Sequence, residues 1–151
     1  MGLHAIPTTT VHWDGVPIEA DRLIGAEGQG LPIAFGALDA GRLGIAACAT
    51  GLAQAALDEA VAYAKERETF GKKIIEHSVW EQRSGEARAD IEMNRLLCLK
   101  AAWMMDQGDP RAAAPWISQI KVVAPRVALK VTDEAMQMFG GAGMSQDTPL
   151  A

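Results

Sequence analysis

The sequence predicts an all-α chain: an antiparallel bundle of three long helices, an incomplete four-helix bundle, led in by a short extended segment. Two observations carry this. Apolar residues recur at steps of three and four through three long stretches, as a helix with one buried face requires. Helix-stopping groups, Gly108-Asp109-Pro110 and Gly140-Gly141, close the second and third stretches. With 151 residues, 49% hydrophobic and 22% charged, the chain is long enough to bury one sizeable core, and wholesale disorder is excluded.

Residues 1–30 are punctuated by Gly and Pro. The β-branched run Thr8-Thr9-Thr10-Val11, followed by His12-Trp13 and the turn signal Asp14-Gly15, reads as one or two strands. The first long helix is expected from about Leu31 to Arg67. Its inward stripe is Ile45, Ala49, Leu52, Ala53, Ala56, Leu57, Ala60 and Ala64, with Gln54, Asp58, Glu59 and Lys65 opposite. Gly44 and Gly51 each cost such a helix about 1 kcal/mol relative to Ala, a cost that close approach of a neighbouring backbone would offset.

The second helix is expected from about Ser78 to Gln107, with Ala87, Ile91, Leu97, Ala101 and Met104 inward. The third runs from near Pro110 to Gly140-Gly141, with Ile117, Ile120, Ala124, Val127, Ala128, Val131, Ala135 and Met138 on one stripe. Pro125 lies inside it and should kink it by removing one backbone donor. Three such helices leave a groove that a fourth would fill. Apolar stripes including Leu97, Ile120 and Val127 should then stay partly unsatisfied and drive self-association.

Charge and composition narrow the function classes. Fourteen Lys and Arg against nineteen Asp and Glu give a net charge of −5, so nucleic acid is not an expected partner. No uninterrupted apolar run reaches the roughly 18 residues of a membrane span, and the N-terminus lacks a basic region followed by an apolar one. A soluble, unexported protein is expected. Cys48 and Cys98 sit inside apolar helical patterns with no CxxC spacing, and are read as buried free thiols in a reducing compartment. His4, His12 and His77 are far apart and lack acidic companions, so no metal site is expected. No glycine group follows a strand and opens a helix, which leaves a Rossmann or P-loop site unsupported.

Two segments could carry chemistry. Gly140-Gly141-Ala142-Gly143 is either a left-handed helix cap or a place where backbone approaches a ligand. In Arg67-Glu68-Thr69-Phe70-Gly71-Lys72 the cation and hydroxyl could hold a phosphate and the ring could support a flat group, although an Arg at a helix C-terminus is also favoured by the helix dipole.

These segments occur in a joint order. The stretch from Gly41 to Leu57 (GRLGIAACATGLAQAAL), then YAKERETFGK, then APRVALKVTDEAMQMFGGAG and finally TPL resembles the C-terminal helical domain of the acyl-CoA dehydrogenases. The preceding VPIEADRLIGAEGQG resembles the end of that family's middle β-domain. The resemblance implies residues 1–30 as the tail of a β-domain and a linker, and residues 31–151 as a helical bundle domain truncated before its last helix. The run from Leu96 to Ala102 and the AGMSQD segment are most similar to the branch whose animal members are fused to a kinase-like domain.

The resemblance also implies roles. The family binds FAD between its β-domain and helical domain, with one end reaching a neighbouring subunit. Arg67 would contact the pyrophosphate, Thr69 and Phe70 would line the same half, and Gln137, Gly140 and Gly141 would receive the other end across a dimer interface. Ser78 stands where many members carry a Gln against the cofactor. Asp39 and Arg42 would help position the acyl-CoA. The family reaction removes an α-proton with a carboxylate while the β-hydrogen leaves as hydride to flavin. Some members carry that base where this chain has Gly41, which cannot transfer protons; in the others it lies after the motif matching Thr148-Pro149-Leu150, beyond Ala151. The implied protein is therefore a portion of an FAD-dependent acyl-CoA dehydrogenase, inactive on its own. It would be homo-oligomeric, a dimer or tetramer, with electron-transfer flavoprotein as acceptor. Its place would be the cytoplasm of a bacterium or the mitochondrial matrix of a eukaryote. An acyl-CoA oxidase or another flavin oxidase or monooxygenase on the same scaffold, and a cofactor-free helical interaction module, are the alternatives.

Overall fold

The computed structural model describes residues 6–150. Contacts divide the chain into two units, Met1–Ala34 and Phe35–Ala151. His4 falls outside the described residues. In the first unit, a 3-10 turn at Ala20–Arg22 is followed by Gly25 and Gly28 at positive φ, and the Gln29 side chain accepts from the Ala26 N–H at 3.0 Å. The strands expected around Thr8–Trp13 do not form: no segment among the described residues pairs with that run, and a β-strand exists only through a partner's ladder.

Three helices dominate: α1 (Gly30–Glu66), α2 (Ser78–Asp106) and α3 (Pro110–Phe139). A hairpin that composition did not announce, β1 (Glu68–Thr69) with β2 (Lys72–Lys73), joins α1 to α2 and is followed by a 3-10 turn at Ile74–Glu76. Gly108, at φ +76°, ends α2 by donating to the Met105 carbonyl. Asp109 starts α3, its carboxylate accepting from the N–H groups of Arg111 (2.9 Å) and Ala112 (3.3 Å), with Pro110 at the first helical position. The helix runs on through both Pro115 and Pro125.

The core is layered along the bundle in a way that fixes the up-down-up order. Ala46 of α1 packs with Cys98 and Ala101 of α2 and with Ile117, Ile120 and Ala124 of α3. In the middle, Ala53 and Leu57 meet Ala87, Ile91 and Val131. At the far end, Ala60 and Ala64 meet Ile74, Ala135 and Met138. Five of the seven buried α1 positions are alanine. The sequence's α1 stripe is rotated in its first half: Ala46 and Thr50 are buried, whereas Ile45 and Leu52 are 53% and 59% exposed. Ile120, expected as an unsatisfied surface, is fully buried and belongs to the core, whereas Leu97 and Val127 pack against the core and stay partly exposed.

Cys98 is buried, but Cys48, expected inside, is exposed because it lies on the outer side of α1. A Cβ on Gly44 or Gly51 would meet nothing within 4 Å, so the close backbone approach expected there does not occur among the described residues. By length and composition α1 could also cross a bilayer, since an 18-residue window reaches a mean hydropathy of 1.3. That window is only 6% buried, its hydropathy coming from exposed Leu31, Ile33, Phe35, Leu38 and Ile45, whereas the Ala46–Ala64 face further along packs against α2 and α3.

Polar groups fix the register of α1 on α2. Thr50 donates to the Ala46 carbonyl (2.8 Å) and accepts from Asn94 Nδ2 (2.8 Å), with Asn94 fully buried. Further along, Gln54 Oε1 accepts from both Arg88 and Arg95, each at 3.1 Å.

Candidate functional site

One end of the bundle gathers the chemistry-bearing residues. Helices α1 and α3 both terminate there and α2 begins there, so Ile74 beyond the hairpin shares a cluster with Met138 of α3. The Tyr63 and Phe139 rings stack at 4.2 Å with 14° between planes, which ties the last turns of α1 and α3 together.

The hairpin at this end breaks a local rule. Thr69 pairs with Lys72, leaving Phe70 and Gly71 as a two-residue loop, at φ +53° and +81°. Positive φ at both loop positions is what a type I′ turn requires, and Asn-Gly is the pair that meets it without strain. Here the first position is Phe70, the one non-glycine residue at positive φ among the described residues, and its ring is 100% exposed. A large apolar ring held in water on a strained backbone has no folding rationale within this chain.

Arg67 stands beside it, just past the end of α1. Its N–H donates to the Tyr63 carbonyl and its carbonyl accepts from Ile74 N–H, both at 2.9 Å. The backbone is thus fixed while the guanidinium is exposed and makes no ion pair among the described residues. His77 Nε2 reaches the Thr69 carbonyl at 3.3 Å and Thr69 Oγ1 at 3.4 Å. With its proton on Nε2 the ring donates to the Thr69 carbonyl, and with it on Nδ1 the ring accepts from the Thr69 hydroxyl, so either tautomer ties the ring to Thr69. His77 is therefore a brace that holds the hairpin against the start of α2.

At the end of α3, Gly140 adopts φ +62°, ψ −137°, and donates to the Gln137 carbonyl. Gly140, Gly141 and Gln137 are exposed. The glycine that packing demands is Gly143, which is buried and whose added Cβ would lie 2.9 Å from Met136 Cα. Gly140 closes α3 at a positive φ, but its ψ lies far from the left-handed helical value, so it is not the left-handed cap of the first reading; no Cβ stands between solvent and the backbone at Gly140-Gly141. The fold thus brings Arg67, Thr69 and Phe70 to the same end as Gln137, Gly140 and Gly141.

Asp39 and Arg42 lie elsewhere. They pair with each other at 2.8 Å, one turn apart on α1, roughly 40 Å along that helix from Arg67 at 1.5 Å per residue. Asp39 lines an open pocket of about 180 Å³ beside the α2–α3 turn, with Met105, Asp109, Pro110 and Ile117. Gly41 is exposed between them. Among the described residues no group of three His, Cys, Asp or Glu side chains could hold a metal ion.

Residues 28–151 match the model of the acyl-CoA dehydrogenase C-terminal domain. The chain belongs to the acyl-CoA dehydrogenase family. It is 40% identical over 151 residues to the short-chain-specific acyl-CoA dehydrogenase of Megasphaera elsdenii, covering all of this chain and 39% of the relative. The solved butyryl-CoA dehydrogenase of that organism superposes with a TM-score of 0.83 at 40% identity, over 88% of this chain and 34% of that one. Human acyl-CoA dehydrogenase family member 11 is 43% identical over 141 residues, 93% of this chain and 18% of the relative. A structure of PigA with FAD and proline matches with a TM-score of 0.78 at 31% identity, over 84% of this chain and 33% of its own. The chain thus spans about two-fifths or less of the relatives it matches, and its helical bundle is the acyl-CoA dehydrogenase C-terminal domain.

Two features of this acyl-CoA dehydrogenase domain escaped sequence reasoning. The hairpin did, because a two-residue strand has too few positions to show a period of two; the only signal was Phe-Gly between Thr69 and Lys72. The brace by His77 did too, since nothing in the spacing of one histidine points to a partner eight residues back.

Proposed function

We propose that this chain supplies the helical part of an FAD-dependent acyl-CoA dehydrogenase, which performs α,β-dehydrogenation of acyl-CoA thioesters. The observation that carries the flavin assignment is Phe70, fully exposed at positive φ beside the unpaired Arg67. Both are explained if a flat, phosphate-bearing ligand covers them. The likeness to PigA, whose solved structure holds FAD, supports the same cofactor here.

The local electrostatics favours one orientation. The C-terminal ends of α1 and α3 point partial negative charge at this region, so a pyrophosphate belongs beside Arg67 rather than beside Gly140. Arg67 offers a planar fork to the phosphate oxygens, Thr69 a hydroxyl, and Phe70 a face for stacking. Gln137 and the bare backbone at Gly140-Gly141 suit an uncharged part of the cofactor held from a second subunit in a homo-oligomer. Bound FAD would accept the hydride of the family reaction, and electron-transfer flavoprotein would take the electrons onward.

Asp39 and Arg42 serve the acyl-CoA. Their ion pair fixes the Arg42 guanidinium for a polar part of the thioester substrate, and the pocket beside Asp39 lies on the same side. Gly41 has no group for proton transfer, and no residue of this chain is assigned as the base. Soluble enzymes of this kind belong in the bacterial cytoplasm or the mitochondrial matrix.

The test is flavin retention, read by absorbance after dialysis, for the chain and its Arg67→Ala variant, each expressed with the further domains its relatives carry. Losing one charge-assisted phosphate contact, worth about 1.5–3 kcal/mol, should weaken FAD binding about 10- to 100-fold. The 151-residue chain alone should stay colourless. A variant that keeps its flavin as well as the parent does would refute the assignment.

A further inference from the structure

The hairpin that carries Phe70 is held by two consecutive residues, one for each strand. Glu76 holds β2: the Lys73 N–H donates to Glu76 Oε2 and Lys72 Nζ to the Glu76 carbonyl, both at 3.1 Å. His77 holds β1, with Nε2 at 3.3 Å from the Thr69 carbonyl and 3.4 Å from Thr69 Oγ1. The His77 backbone is itself fixed, because its carbonyl accepts from the N–H groups of Trp80 (2.9 Å) and Glu81 (3.2 Å) in the first turn of α2. The half-buried ring thus ties the start of a 29-residue helix to the residue next to Phe70.

One ring nitrogen here faces two oxygens of unlike chemistry. The carbonyl can only accept, whereas the hydroxyl can accept and has a single proton to give. With Nε2 bare, the hydroxyl spends that proton on the ring and the carbonyl meets a lone pair. With Nε2 protonated, the ring donates and the hydroxyl keeps its proton. A charged phosphate oxygen accepts and cannot donate, so Thr69 can bond to one only in the second state.

On the flavin reading above, which gives the Thr69 hydroxyl to the pyrophosphate, we infer that His77 is a positioning residue for that contact: with its proton on Nε2 it holds the Thr69 carbonyl and leaves the hydroxyl proton to a phosphate oxygen. Its effect passes through Thr69. Ligand binding then selects one form of the ring out of the two that tie it to the hairpin.

The experiment measures FAD dissociation constants, read from flavin fluorescence, for the chain expressed with the further domains its relatives carry. Gln places an amide N–H about where the ring's Nε2–H stands, so His77→Gln should bind FAD within about threefold of the wild type. His77→Leu and Thr69→Val should each weaken binding by about 10-fold, the scale of one hydrogen bond to a charged group. The double variant should lose no more than either, because the two residues serve one contact. Nitrogen-15 NMR of labelled histidine in the FAD-bound wild type, with the His77 signals identified by their absence in His77→Gln, should show Nε2 protonated. A loss of about 10-fold or more in His77→Gln, additive losses in the double variant, or a bound form with Nε2 unprotonated would each overturn the inference. Should His77→Leu fail to fold, His77→Gln and the spectrum still decide it. An Arg67→Ala variant that keeps its flavin would refute the site as a whole, whereas these outcomes beside an Arg67→Ala variant that loses flavin refute only the part given to His77.

Discussion

A single backbone angle at Phe70 links stability to binding. A non-glycine residue at positive φ costs of order 1 kcal/mol or more, and a fully exposed ring returns none of it within this chain. Phe70→Asn places the residue that type I′ loops favour at this position. We expect it to raise the unfolding free energy by about 1 kcal/mol while lowering flavin retention of the enzyme with its further domains. Unfolding in urea and flavin absorbance read the two effects. A loss of stability would instead mean that the ring packs on something in the free chain. The sequence displayed the Arg-Thr-Phe-Gly group but hid this conflict, because composition does not reveal a φ angle. The same holds inside: Asn94 lies in a helical pattern that reads as polar, yet it is fully buried, since its amide finds Thr50 across the helix pair.

Caps at the level of elements are more legible than faces. Gly108-Asp109-Pro110 names both the end of α2 and the start of α3, because each residue has a distinct backbone task there. Removing the Asp109 carboxylate leaves the N–H groups of Arg111 and Ala112 without their partner. Asp109→Ala should therefore cost about 0.5–2 kcal/mol in urea unfolding, and Asp109→Asn much less, because its amide oxygen still accepts. Equal losses for the two variants would show that charge, not the hydrogen bond, matters. Faces were harder to read. In α3 the apolar stripe is strong and eight buried positions follow it closely. In α1, alanine and glycine occur on every side, so the pattern could not decide between Ile45 and its neighbour Ala46. The inner choice fell to Ala46 because a small side chain lets the helices meet closely, with Ile117 and Ile120 filling the layer.

The unit from Phe35 to Ala151 leaves large apolar side chains uncovered on the outer sides of α1 and α2. Met93, Leu96, Leu99 and Trp103 recur along α2 at steps of three and four, and all are exposed, Leu99 by 60% and Trp103 by 53%. Leu99 also walls a groove of about 400 Å³ with Ala47 and Gly51 of α1, where the small residues leave open space. A helical bundle that exposes large side chains in register, next to a groove of that size, has not finished burying its surface. Self-association is therefore expected, through this face rather than through Ile120, which the core consumes. Each large side chain removed from water contributes about 1.5–3 kcal/mol, so losing two should weaken the complex by at least about 100-fold. Sedimentation velocity should show oligomers of the wild type at tens of micromolar and monomers for Leu99→Glu with Trp103→Glu. Both residues are on the surface, so the double variant should keep its helical circular-dichroism spectrum. A wild type that stays monomeric throughout the micromolar range would refute self-association, and a double variant that associates as strongly as the wild type would place the contact on another face.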